Sequence, residues 1–190
     1  MHKNHRIIIL SAPSGSGKST LAGYLFQRFP LLTLSVSATT RPPRGEEQHG
    51  REYFFVSHEK FEKFVAEDAF VEWEEVYQGI CYGTLRRELE RIWGMGHSAL
   101  FDVDVKGGIR LKQIFGAQAL SIFIQPPSLE VLRERLEKRG TDTSESIQKR
   151  LAKAEEEMAY APNFDVIIVN DVLEEAKQQI KEAVAEFVGG

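Results

Sequence analysis

Ile7-Ile8-Ile9-Leu10-Ser11-Ala12-Pro13-Ser14-Gly15-Ser16-Gly17-Lys18-Ser19-Thr20-Leu21 is the stretch whose reading decides the fold. It predicts a buried strand that runs into a glycine-rich loop and then opens a helix at a lysine and a hydroxyl. Gly15 and Gly17 lack a Cβ, so the backbone there can take positive φ and turn successive N–H groups inward as an anion-binding nest. The helix that follows aims its positive end at the same place. Lys18 can bring a mobile charge to β- and γ-phosphates, and Ser19 can offer a hydroxyl to Mg²⁺. Ala12 stands where the full phosphate-loop motif has a further glycine. Alanine is tolerated there if the position does not need φ > 0.

Outward from this loop, short apolar runs recur at Arg6–Ala12, Ala99–Val103, Ala119–Gln125 and Val166–Val169. They are β-branched or aromatic and hardly alternate, as expected of parallel strands covered on both faces. Helical stripes lie between them: Leu21, Leu25 and Phe29; Leu129, Leu132 and Leu136 after the N-cap Ser128; Ile147, Leu151, Ala154 and Met158; and Leu173 through Phe187. Strands alternating with helices predict an α/β fold around a parallel sheet. The segment from about Leu32 to Ile80 differs. Thr33–Ala38, Glu52–Val56 and Phe70–Val76 read as strands with one short helix among them, a β-rich lobe inserted into the core.

Bulk properties narrow the partners. The 190 residues carry 24 basic and 28 acidic side chains, a net charge of −4, which argues against binding to a nucleic-acid backbone. No apolar run reaches the 18 or so residues of a membrane span, and the apolar run after Arg6 is too short for a secretion signal. A cytoplasmic protein is expected. Cys81, the single cysteine, excludes an internal disulfide or a cysteine-based zinc site, and it reads as a reduced spectator. His49, His58 and His97 show no ligand spacing and read as surface residues, and Trp73 and Trp93 read as packing residues.

A second constellation is Arg41-Pro42-Pro43-Arg44. Two prolines hold polyproline II backbone, which repeats every three residues, so Arg41 and Arg44 are expected on one edge, where two guanidinium groups could grip one phosphate. Tyr53 and Tyr82 could add phenolic donors. Glu72 lies among bulky apolar residues on a predicted strand. Its carboxylate could accept the adjacent N1–H and N2 amino donors of guanine while Ser37 donates to O6; adenine lacks that donor pair. Glu74 is expected to face outward.

These motifs resemble the guanylate kinases, and the resemblance covers nearly the whole chain: the loop Ser11–Ser19, Ser35–Arg44, Gly50–Val56, Phe70–Trp73, Tyr82-Gly83-Thr84, Asp102-Val103-Asp104, Arg139-Gly140-Thr141 and Val169-Asn170-Asp171. Members often carry alanine where Ala12 stands. The resemblance implies a phosphate-loop nucleoside-triphosphatase-type core (residues 1–32, 95–138 and 160–190), a GMP-binding lobe over about 33–94 and a helical lid over about 139–159. It also implies transfer of a phosphoryl group from ATP to GMP with Mg²⁺. Ser37, Arg41, Arg44, Tyr53, Glu72, Tyr82, Thr84 and Asp104 would line the GMP site. Ala12, Pro13, Ser14, Gly15, Ser16, Gly17, Lys18, Ser19 and Thr20 would cradle ATP, with Asn170 and Asp171 under its adenine. Asp102 would partner Ser19 at the metal, and Lys18, Arg41, Arg139 and Arg150 would act on the transferring phosphates. Two alternatives remain open: a non-catalytic binding module for phosphorylated peptides, and a kinase for a phosphorylated ribose without a base.

Overall fold

The computed structural model describes residues 5–77, 79–140 and 143–189; the side chains of Tyr77 and Arg139 also lie outside that description. Five parallel strands form the core sheet: β1 (Ile7–Ser11), β2 (Leu32–Leu34), β7 (Ser98–Asp102), β8 (Ala119–Gln125) and β9 (Val166–Val169), in the order β2-β7-β1-β8-β9. Ile7 through Leu10 are all completely buried because helices cover both faces. Ile8 and Leu10 pack with Leu21 and Leu25 of α1 (Lys18–Arg28) and with Ala176, Ile180 and Val184 of α7 (Leu173–Gly189). Ile7 and Ile9 turn the other way, onto Leu89 and Ile92 of α3 (Arg86–Gly94) and Leu111 of α4 (Val105–Phe115).

From central β1 the chain goes to β2 on one side of the sheet, and after β7 it crosses to β8 on the other side of β1. That reversal opens a crevice beyond the carboxyl ends of the strands, the usual ligand position in such sheets. The loop after β1 sits in it.

A second sheet, in the order β4-β3-β6-β5, is built from β3 (Ala38–Thr39), β4 (Phe54–Phe55), β5 (Phe70–Tyr77) and β6 (Ile80–Leu85). Phe61 of α2 (His58–Ala66) packs into it against Ala38, Phe70 and Leu85. The expected single strand Thr33–Ala38 is divided between the two sheets. Leu32–Leu34 pairs with β7 in the core, and Ala38–Thr39 pairs with β6. Between them the Val36 N–H leaves sheet pairing to donate to Oε1 of buried Glu88, 3.2 Å away. The core thus extends past residue 32, and α3 packs on it although its sequence lies before residue 95.

The chain then makes a helical pair. In α5 (Leu129–Arg139), capped by Ser128 Oγ accepting from the Val131 N–H at 3.2 Å, Leu132 and Leu136 are fully buried. They pack on Ile147, Leu151 and Ala154 of α6 (Ser144–Met158). This small apolar seam holds the inner face of α6 over the crevice.

Candidate functional site

A cavity of about 710 Å³ lies between the phosphate loop, the second sheet and α6. That volume is typical of a small-molecule site. Ala12, Pro13, Ser14, Gly15, Gly17, Lys18, Ser19 and Thr20 line one end; Ser37, Arg44, Tyr53, Glu72 and Tyr82 line the other, with Asp102 and Asp104 between.

The loop has the expected backbone. Gly15 and Gly17 stand at φ 97° and 92°, and Gly17 caps α1 with no side-chain cap, so the helix N-terminus is left for an anion. A Cβ on Gly17 would run into the Asn170 amide. Lys18 forms an ion pair with Asp102 at the end of β7 and donates to the Val103 carbonyl at 3.4 Å. Arg150 of α6 reaches back to Ser14, Nη1 to Oγ 2.6 Å.

Of the expected site residues, Ser16 and Thr84 lie outside the cavity wall, and Asn170 and Asp171 border a second hollow beside the loop. Ser16 is buried, and its carbonyl accepts from Asn170 Nδ2 at 2.8 Å. Asn170 therefore clamps the loop from behind. Its own backbone carbonyl accepts from Arg135 at 2.9 Å. With Asp171 it borders a separate, shallower hollow of about 340 Å³ shared with Gly15, Gly17, Thr20 and Leu173. Thr84 is fully buried behind Glu72 and donates to its Oε1 at 2.9 Å, outside the cavity wall.

Arg41 departs most. The expected two-arginine grip is not formed: beyond Arg44 the chain turns back through Gly45 (φ 56°) and brings Glu47 onto Arg41. The buried Arg41 guanidinium donates Nη1 and Nη2 to the two Glu47 oxygens at 2.7 and 2.8 Å, and Nε to the Tyr82 hydroxyl at 3.2 Å. It stacks 4.8 Å from the centre of the Tyr53 ring. The Arg41 fork and the Arg44 N–H hold the Glu47 carboxyl down at about 2. Arg44 alone of the pair lines the cavity. The side chain of Arg139, and Thr141 beside it, lie outside the described residues.

The two aspartates separate by location. Asp102 belongs with Lys18 at the phosphate loop, whereas Asp104 caps α4, its Oδ1 accepting from the Gly107 N–H at 2.8 Å. Gly107 faces both Asp104 and Glu72: a Cβ there would lie 2.9 Å from Asp104 Oδ1 and 4.0 Å from Glu72 Oε2. Burial raises the Glu72 carboxyl to about 7 against the pull of the Thr84 hydroxyl.

Several lining residues escaped the sequence reading. Glu74 and Val76 line the cavity with Glu72. The signal was present, since residues two apart on a strand share a face. Lys153 and Glu157 also line it, at helical spacing on the same face of α6 as the expected Arg150. Burial raises the Glu157 carboxyl above the usual range. Trp73, on the opposite face of β5, is 41% exposed rather than a packed core residue.

A family profile described as guanylate kinase matches residues 4–187. Proteins named guanylate kinase from Bacteroides fragilis and Bacteroides thetaiotaomicron are 51% and 52% identical, covering 97% and 96% of this chain and 90% of each relative. The crystal structure of guanylate kinase from Anaplasma phagocytophilum superposes with a TM-score of 0.74 at 30% identity, covering 98% of this chain and 87% of that one. Profile, relatives and shared fold extend over nearly the entire chain, and on that ground the chain belongs to the guanylate kinase family.

Proposed function

We propose that this chain phosphorylates GMP with ATP in the large cavity, the two nucleotides entering from opposite ends. The observation that carries this reading is the division of that cavity. A phosphate loop with a free helix N-terminus lies at one end, and Glu72 with Arg44, Tyr53 and Tyr82 lies at the other.

A phosphate oxygen of GMP attacks the γ-phosphorus of ATP. A new P–O bond forms, the bond to the β,γ-bridging oxygen breaks, and ADP leaves with that electron pair. The protein's task is alignment, charge neutralisation and exclusion of water. Lys18 moves from Asp102 onto the phosphates, and Arg150 adds charge from α6. Arg44 and the tyrosine hydroxyls hold the acceptor phosphate. Arg41 acts through Tyr53 and Tyr82, which it orders. Glu72 takes the guanine donors, Thr84 holds Glu72 in place, and Ser37 faces the base from the segment just before β3.

Ser19 at the cavity and Asp102 at the end of β7 would hold Mg²⁺. A hydroxyl and a carboxylate suit a hard cation that keeps water and phosphate oxygens as its other ligands, and Asp102 already balances a cation, Lys18. Bound magnesium supplies positive charge to the phosphate oxygens.

The test is ADP release from ATP with GMP, AMP or ribose 5-phosphate as acceptor. GMP-dependent ADP formation is expected. Equal use of ribose 5-phosphate would favour a base-blind kinase, and no turnover with binding of a phosphopeptide would favour a binding module.

A further inference from the structure

On the reading of this cavity as the GMP site, two groups on different segments face the base. Glu72 is held by the Thr84 hydroxyl of β6, and Ser37 stands just before β3. One takes the N1 and N2 donors and the other donates to O6, so their spacing has to match the base. The ladder between β3 and β6 sets Ala38 opposite Gly83 and Thr39 opposite Tyr82, and it stops short of Ser37. The hold on Ser37 comes from elsewhere.

Residues 35, 36 and 37 are each tied to a different part of the fold. The Ser35 N–H donates to the Leu100 carbonyl of β7 at 2.8 Å, and the Ser37 carbonyl accepts from the Phe54 N–H of β4 at 2.9 Å. Between them the Val36 N–H donates to Oε1 of Glu88. This segment carries the chain out of the core sheet into the second sheet, and the chain returns where β6 runs into α3. Glu88 lies in the first turn of α3, shortly after Thr84. Its carboxylate therefore joins the outgoing crossing, next to Ser37, to the returning one, next to Thr84.

A carboxylate only 3% exposed is costly unless its oxygens are filled. Arg91, a half-exposed side chain, donates Nε to Oε2 at 2.9 Å and Nη2 to Oε1 at 2.8 Å. The positive end of α3 favours the negative charge as well. Neither Glu88 nor Val36 lines the cavity, so the carboxylate acts at a distance from the nucleotide. We infer that Glu88 is a positioning residue for base recognition: through the Val36 N–H it fixes Ser37 at the distance from Glu72 that guanine requires. The inference rests on the GMP reading of the cavity.

The experiment measures KM for GMP and for ATP, with melting temperatures, in Glu88→Met, Glu88→Gln, Ser37→Ala and the Ser37→Ala/Glu88→Met double variant. Methionine matches glutamate in length and suits a buried site, but it offers Val36 no oxygen. Glutamine keeps an oxygen for Val36 while Arg91 turns to solvent. Ser37→Ala removes one neutral hydrogen bond, a factor of about two to ten in KM for GMP. Glu88→Met should raise KM for GMP by a similar factor with KM for ATP unchanged, and Glu88→Gln should stay near wild type. The double variant should be little worse than either single one, because both act on the same contact. A merely structural glutamate would lower the melting temperature, and its effect on KM would multiply with that of Ser37→Ala. The inference is overturned by a folded Glu88→Met with wild-type KM for GMP, by a Glu88→Gln as impaired as Glu88→Met, or by independent effects in the double variant. An unchanged KM for GMP in Ser37→Ala overturns it too, since Glu88 then has nothing to act through. Should Glu88→Met fail to fold, Glu88→Asp takes its place: one carbon shorter, it keeps the charge and withdraws the acceptor. All these outcomes leave GMP phosphorylation standing. A wild type that does not phosphorylate GMP brings down the underlying reading itself.

Discussion

Arg41 is forked onto Glu47 by hydrogen bonds of 2.7 and 2.8 Å, while a Glu47 oxygen also accepts the backbone N–H of Arg44 at 2.8 Å. One carboxylate thus ties up the Arg41 side chain and fixes the Arg44 backbone. Of two arginines three residues apart, one becomes a buried strut under Tyr53 and Tyr82 and the other a ligand at the cavity wall.

This division separates two variants. Arg44→Ala removes a charge-assisted phosphate contact worth about 1.5–3 kcal/mol, so KM for GMP should rise roughly tenfold or more with KM for ATP unchanged. Its melting temperature should stay near wild type, since Arg44 is exposed. Arg41→Ala should lower the melting temperature as well, because it empties a buried site and strands Glu47. Thermal denaturation beside steady-state kinetics decides; equal melting of the two variants would contradict the strut. Glu47, held at about 2 rather than the ordinary 4.5, contributes fully above about pH 4.5, and that contribution is lost as pH falls toward 2.

Glu72 has the opposite sign. Its folded carboxyl stands near 7, above the ordinary 4.5, so the folded state binds the extra proton between those values. Stability therefore falls as pH rises from about 4.5 to 7, by at most about 3 kcal/mol. Glu72→Gln should remove that slope and melt higher than wild type at pH 8. Guanine donors need the ionised carboxylate, so GMP binding should weaken below pH 7 and release a proton there. Calorimetry in buffers of different ionisation enthalpy measures that release. The same variant should lose far more kcat/KM for GMP than for AMP, since sites built on such polar pairing discriminate by about 10⁴–10⁵. An unchanged GMP-to-AMP ratio in folded protein would remove Glu72 from base selection.

Lys18→Ala should lower kcat by orders of magnitude with the fold retained. The lysine meets charge that grows in the transition state, and its ground-state partner Asp102 is at the protein surface, where loss of an ion pair costs little. Circular dichroism provides the fold control. A folded variant with near wild-type kcat would contradict the phosphate-loop role.

Arg150→Ala should lower kcat more than it changes the affinity for GMP alone, because Arg150 contacts the phosphate loop at Ser14. Calorimetric titration of GMP into the variant without ATP is the comparison. A loss of GMP affinity equal to the loss of kcat would place Arg150 at the acceptor instead.

The sequence by itself determined the features whose physics is local. The strand, loop and helix of residues 7–21 follow from apolar periodicity, glycine at positive φ and a helix that starts at Lys18, all set within a few residues. The Ser128 cap and the buried stripes of α5 and α6 were legible for the same reason. Only the tertiary structure decided which neighbours those segments meet. Asn170 bonds to Ser16 across 154 positions, an arrangement set by packing α7 beside α1. Thr84 lies behind Glu72 because of hairpin register, with no trace in either residue's surroundings in the chain. Arg41 turned to Glu47 rather than to the cavity, since a carboxylate six residues on satisfies a buried guanidinium better than solvent can. Backbone preference is written residue by residue, whereas the partner of a buried charge is fixed only once the chain has closed around it.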